Sequence, residues 1–253
     1  MDRLYMEAVL DQLLSIGELL LQNGAEISRV EETISRMGLA YGAAEMQVFV
    51  ITYSMVVTMR LPVGGIFTQT RRISRPAGTD YFRLEACNSL SRRCCREPLP
   101  LEELQKEVER IRSQPGNRLR SYGGSILGIG SFTLFFGGGV ADMLVSMLFA
   151  AVTCALQEHL MPICMNRVIF NLICSFLIGL GTCGCVLLWP VLQLDKIMIG
   201  YIMLLIPGLA ITNSIRDILV GNTISGALLL TESLLWAGAL ASGFMLAIWM
   251  TGV

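Results

Sequence analysis

The strongest constraint on this chain is a series of apolar segments crowded into its second half. Five can be drawn, at about 121 to 138, 140 to 157, 166 to 189, 197 to 215 and 226 to 249, each close to the roughly 20 residues with which a helix crosses a bilayer. Charge is distributed the other way. Residues 1 to 120 hold 16 of the 19 Lys/Arg and 15 of the 20 Asp/Glu. The sequence thus predicts a cytosolic α+β domain over 1–118, followed by an all-α polytopic membrane domain of about five transmembrane helices over 119–253. The first two apolar segments are separated only by Gly137, Gly138 and Gly139. They form either a tight helical hairpin or one interrupted element, and length favours two spans.

An odd number of spans puts the termini on opposite sides. The Arg-rich first half, with Arg167 and Arg216 in alternate loops, orients the N-terminal domain to the cytoplasm, with Lys196 beside Asp195 as the one dissent. The net charge of −1 leaves no basic field for nucleic acid. The runs Arg71, Arg72, Arg75 and Arg92, Arg93, Arg96 fit a solvated face or a contact with anionic headgroups. The eight cysteines show no CxxC spacing, and the one histidine, His159, has no partner set, so neither a metal nor a cofactor is expected. The cysteines read as small, reduced, apolar residues. The acidic, amphipathic start MDRLYMEAVLDQ is no signal peptide.

In the first half, Met6, Val9, Leu13, Ile16 and Leu20 make one apolar helical stripe, stopped at Asn23-Gly24. A second helix, about 26 to 41, sets Ile27, Val30, Ile34, Met37 and Tyr41 on one side and Glu26, Arg29, Glu32 and Arg36 on the other. That charged ladder is either an exposed, self-paired face or a binding face. QVFVITYSMVVTMR reads as one long strand or two strands turning near Thr52 to Ser54, with Phe49, Ile51, Met55, Val57 and Met59 on the more apolar face. GIFTQTRRIS is its partner after a Pro/Gly turn. Helices follow over 80 to 96, with Tyr81, Leu84, Cys87 and Leu90-Ser91 facing in, and over the segment starting at Leu101, with Leu101, Leu104, Val108 and Ile111 as its stripe and Pro115-Gly116 as its stop. Ser28, Thr52 and Ser54 lack any evident base, and no nucleophile or phosphate-loop motif is present.

Within the membrane half, Gly124 and Gly128 give a small-xxx-small face that suits helix packing, within the chain or in a homo-oligomer. Asp142 sits either in hydrocarbon, where an unpaired carboxylate is costly, or at the interface, and Glu232 either faces the bundle or snorkels. Pro207 removes a backbone donor and Gly208 adds freedom, so the fourth span is expected to bend or unwind there. Asn213, Arg216 and Asp217 follow at i, i+3 and i+4, on one helical face. Arg offers a forked donor set for a carboxylate, Asn an orienting amide, and Asp a partner for Arg, an ammonium group or a proton. The plainer alternative is that Arg216 and Asp217 simply end the span.

PGLAITNSIRDILVGNTISG, with GAEISRVEETI (Gly24 to Ile34), the strands QVFVITYSMVVTM and TRRI, and GGGVADML (Gly137 to Leu144), resembles the bacterial threonine/serine exporter family along nearly the whole chain. The resemblance implies an exporter with a cytosolic N-terminal domain and a five-span core. The family occurs as one longer chain or as two subunits, and this chain resembles the longer subunit of the split form, which implies a short all-membrane partner subunit. Threonine and serine, or a short dicarboxylate such as succinate, are the implied substrates. Carried over by position, the marked residues are Glu26, Arg29, Glu32, Asp142, Pro207, Gly208, Asn213, Arg216, Asp217 and Gly226. The GALLLTE stretch lacks the Arg that many relatives carry there. The expectation is a secondary, proton-driven exporter subunit in the lipid bilayer. Arg216 and Asn213 hold a carboxylate, Pro207 and Gly208 break the span, Asp142 or Asp217 exchanges a proton, and Glu26, Arg29 and Glu32 serve in gating or domain contact. The alternative is a membrane-anchored hydrolase with its active site in the N-terminal domain.

Overall fold

A computed structural model describes residues 3–73, 80–114, 118–161, 163–164 and 166–253. The Pro115-Gly116 stop, Arg75 and Pro162 lie outside them. The chain is mostly helical and falls into two compact units. Met1–Pro115 and Thr212–Leu230 form one; Gly116–Ile211 and Thr231–Val253 form the other.

The first unit opens with α1 (Arg3–Gln22) and α2 (Ile27–Ala40). All ten apolar positions expected to face inward on these two helices, Tyr41 included, are buried. Gly24 ends α1 at φ 87°, a conformation open to glycine, while the Ala25 N–H reaches back to the Leu20 carbonyl at 3.0 Å. The antiparallel sheet β1 (Glu45–Ile51), β2 (Ser54–Arg60) and β3 (Ile66–Arg72) follows in the order β1-β2-β3.

The turn between β1 and β2 overturns one expected face. Ile51 pairs with Ser54 across only Thr52 and Tyr53, so odd positions of β1 lie opposite even positions of β2. Val50, with Val48 and Met46, therefore shares the inward face of Met55, Val57 and Met59, and Phe49 is 60 % exposed on the other face. Arg71 departs from the expected solvated run as well. It crosses from β3 to α1, donating to Asp11 Oδ1 at 2.5 Å and Ser15 Oγ at 2.7 Å, with Glu18 at 3.6 Å.

Helices α3 (Tyr81–Arg96) and α4 (Leu101–Ser113) complete the core of this unit. Asp80 caps α3 by accepting the Phe82 and Arg83 N–H groups at 3.0 and 3.1 Å. Tyr81, expected to face in, is exposed because it stands at the helix's first position, ahead of the buried stripe Cys87, Leu90, Ser91 and Cys94.

The second unit contains α5 (Arg118–Phe135), α6 (Val140–His159), α7 (Arg167–Leu188) and α8 (Leu194–Leu205). The chain leaves it within α9 (Gly208–Leu219) and re-enters within α10 (Thr223–Thr251). Among the described residues α6, α7 and α10 are long and apolar enough to cross a membrane, and α8 with α9 qualifies as one bent pair. Helix α5, with Arg120 and several glycines in its first turns, is not in that set. The turn from α5 to α6 runs through Gly137 at φ 91°, with the Gly138 N–H on the Thr133 carbonyl at 3.0 Å.

The close helix contacts of this unit run through different small residues from those the spacing suggested. A Cβ on Gly243 would stand 2.6 Å from the Leu172 carbonyl oxygen, and one on Gly179 2.7 Å from Ala247. Gly124 and Gly128 have nothing within 4 Å of the same position. Among the described residues nothing packs against either glycine.

Candidate functional site

Helix α2 begins at Glu26, its N-cap, whose carboxylate makes no capping bond to its own helix. It accepts instead from Arg216 Nη1 at 2.6 Å. Both residues belong to the first compact unit, although 190 positions separate them in the chain. Each charge also suits its own helix, a carboxylate at the start of α2 and a guanidinium in the last turn of α9. The Arg216 side chain is 62 % exposed and that of Glu26 23 %. A pair so open to water contributes at most about 1 kcal/mol, so a competing carboxylate displaces it at little cost.

The sequence of α9 and α10 explains how Arg216 is held there. Gly221, at φ 102°, closes α9 and lets the Asn222 N–H bond the Asp217 carbonyl at 2.8 Å. Gly226 of α10 then faces Ser214 and Ile218 so closely that a Cβ would lie 2.6 Å from the Ser214 carbonyl oxygen. Asp217 is buried and within electrostatic reach of both Glu26 and Arg216. Asn213, one turn earlier, is half-buried. The first unit therefore gathers Glu26, Arg29, Glu32, Asn213, Arg216 and Asp217.

Pro207, Gly208 and Asp142 belong to the second unit. The helix breaks where expected: α8 stops at Leu205 and α9 starts at Gly208. Beside the break the Ile206 carbonyl accepts the Gly208 N–H at 2.8 Å, and the Pro207 carbonyl accepts the Ile211 N–H at 3.0 Å as α9 begins. Asp142 is buried, and its two oxygens accept the Gly139 and Gln193 N–H groups, each at 2.8 Å. One bond caps α6 and the other ties down the start of α8, so the carboxylate in this apolar unit is paired with backbone donors.

A cavity of about 840 Å³ adjoins the Arg216–Glu26 pair, walled by α2 and α3. Arg29, Arg36, Arg92 and Arg96 line it alongside Glu32. Sequence reasoning assigned Arg92 and Arg96 to a solvated face or a contact with anionic headgroups. Their i, i+4 spacing on α3 was the available signal, but nothing local to α3 announces a facing α2. Of the candidate nucleophiles, Ser54 Oγ donates to the Arg71 carbonyl at 3.4 Å, Thr52 Oγ1 is buried without a partner, and Ser28 lines the cavity with Glu26 and Glu32. Burial pushes the Cys87 thiol up to about 12, which keeps it protonated at neutral pH.

The model of a family described as "Putative threonine/serine exporter" matches residues 11–250. No curated protein matches the chain, and no solved structure does.

Proposed function

The chain belongs to the threonine/serine exporter family, a family of membrane transporters, and from that premise we propose that it is the longer subunit of a two-component secondary exporter. In this reading 1–118 is a cytoplasmic α+β domain and 119–253 a five-span domain of the bacterial inner membrane, with α5 as the first span. A short all-membrane subunit completes the pathway. The open Gly124/Gly128 face of α5 suits such a partner, or a second copy of this chain. The substrate is threonine or serine, or a short dicarboxylate such as succinate.

The observation that carries the reading is the exposed Arg216–Glu26 pair. A substrate carboxylate takes the place of Glu26 on the Arg216 guanidinium, Asn213 orients it, and Glu26 returns when it leaves. For an amino acid, the released Glu26 is free to meet the α-ammonium group. Asp142 is committed to two backbone N–H groups and acts by holding the α6 and α8 starts in place. The exchangeable proton falls to Asp217, beside the pair. The Pro207-Gly208 break lets α9 tilt between states.

Efflux of threonine, serine and succinate from cells carrying the chain and its partner tests this. Arg216→Ala abolishes efflux without reducing membrane insertion. Glu26→Gln removes the competitor and lowers the half-saturating succinate concentration up to about fivefold, as expected for losing a pair worth up to about 1 kcal/mol. Wild-type efflux from inserted Arg216→Ala protein removes Arg216 from the site.

A further inference from the structure

The cavity between α2 and α3 is larger than the Arg216–Glu26 pair requires, and its charges do not balance. Five guanidinium groups line it, from Arg29, Arg36, Arg92, Arg96 and Arg216, against the two carboxylates of Glu26 and Glu32. Three of the five are engaged. Arg216 is on Glu26 at 2.6 Å, Arg36 on Glu32 at 3.2 Å, and Arg92 on Glu85 at 2.7 Å. Arg29 and Arg96 form no ion pair among the described residues, although Arg29 is within electrostatic reach of Glu85. Among the described residues, one arginine without an ion-pair contact thus stands on each wall, Arg29 on α2 and Arg96 on α3.

We propose that this cavity is a binding site for a multiply charged, phosphate-bearing anion, clamped between Arg29 and Arg96. The planar guanidinium fork matches phosphate oxygens two at a time, and two forks facing one space favour a ligand with at least two anionic groups over a single carboxylate. Arg92 and Arg36 add charge by exchanging their exposed carboxylate partners, which surface pairing holds weakly. Ser28, Asn88 and Ser91 supply neutral polar groups on the same lining. About 840 Å³ accommodates a phosphate ester of metabolite size. The ligand differs in class from the exported acids, and its binding is measured without transport, so this site and the export reading stand or fall separately.

The probe is inorganic pyrophosphate, titrated calorimetrically into the purified full-length chain in a neutral detergent, with threonine as the comparison ligand. Saturable pyrophosphate binding is expected, weakened at least about tenfold in Arg29→Ala/Arg96→Ala, roughly the loss of one charged hydrogen-bonded contact or more. Arg72→Ala, which removes an exposed arginine elsewhere in the unit, leaves it unchanged. Because an alanine pair could disturb the helices, Arg29→Lys/Arg96→Lys is measured too; it keeps the charge, loses the fork, and binds between wild type and the alanine pair. Nanodiscs with and without cardiolipin, whose headgroup carries two phosphates, separate the sources. Competition between that lipid and pyrophosphate identifies a headgroup as the natural anion, and no competition identifies a free solute. Absence of saturable binding, or equal binding by wild type and the folded alanine pair, overturns the proposal.

Discussion

Helices α1 and α6 are both 20 residues long, and they place their side chains in opposite ways. In α1 the buried set is Met6, Val9, Leu10, Leu13, Leu14, Ile16, Leu19, Leu20 and Leu21, with Ser15 and Gly17. In α6 it is Asp142, Ser146, Ala150, Thr153 and Cys154, while Val140, Leu144, Leu148 and Val152 are exposed. Water drives apolar surface inward, so α1 packs by its leucines. Against lipid there is no such drive, and α6 packs by small and hydrogen-bonding residues. Thr153 Oγ1 meets the Tyr201 hydroxyl, and Thr133 Oγ1 donates to Ser146 Oγ at 2.9 Å. The exterior apolar surface of the second unit is therefore what a bilayer requires, which is the physical content of its candidate spans.

Two aspartates sharpen the comparison most. Asp80 and Asp142 each accept two backbone N–H groups, the first with a third of its side chain exposed, the second buried. Asp80→Ala should cost about 1 kcal/mol, because water replaces the cap. Asp142→Ala strands two donors with no water to take them, at about 1–3 kcal/mol each. Asp142→Asn keeps one carbonyl acceptor and recovers part of the loss. Thermal unfolding in detergent ranks the three, and equal costs at the two aspartates would mean that Asp142 is reached by water.

A charge placed on an exposed leucine comes next. Leu148 is 61 % exposed near the middle of α6 and Leu4 72 % exposed in α1. Leu148→Arg should cost about 2.5–3.5 kcal/mol in membrane insertion, whereas Leu4→Arg stays within about 0.5 kcal/mol. The membrane-integrated fraction measures it. Normal insertion of Leu148→Arg protein would show that this face of α6 meets another protein chain or water, and the contrast with α1 would lose its cause.

Much of this contrast was legible in the sequence, because helical period and segment length are local properties. The stripes of α1, α2 and α4 and the break at Pro207-Gly208 needed only neighbours three or four positions apart. The inward face of β1 was misassigned because a two-residue turn changes which parity pairs with β2, and register across a turn is not carried by alternation. Gly243 and Gly179 were missed in favour of Gly124 and Gly128 because spacing shows a small face without showing what lies against it. The site was less legible still. Asn213, Arg216 and Asp217 stood out by their spacing and the α2 ladder by its charges, and the family resemblance marked both sets, but no period links Glu26 to Arg216 across 190 positions. Arg96 gave no sign that it shares a cavity with Arg29.

The smallest effect concerns Glu31, a carboxylate of the first unit that is bonded to backbone as Asp142 is in the second. Glu31 of α2 reaches the outer edge of the sheet and accepts the Val50 N–H at 3.0 Å, satisfying a donor that β1, as an edge strand, cannot pair. Burial raises its carboxyl above the ordinary 4.5, and the Val50 bond offsets that only in part. The sign follows from proton linkage. Below about pH 4.5 the group is protonated in folded and unfolded chains alike and its favourable contribution is complete. As pH rises through the raised folded value, the folded state must give up a proton it holds more tightly than the unfolded chain does, and stability is lost. Glu31→Gln keeps an amide oxygen for Val50 and carries no charge, so it should flatten the fall in unfolding temperature between pH 4 and pH 7 and be at least as stable as wild type at the upper end. A steeper fall, or a loss of stability at pH 7, would mean that the ionised carboxylate is the better partner for the strand edge, and that burial in this unit is shallower than around Asp142.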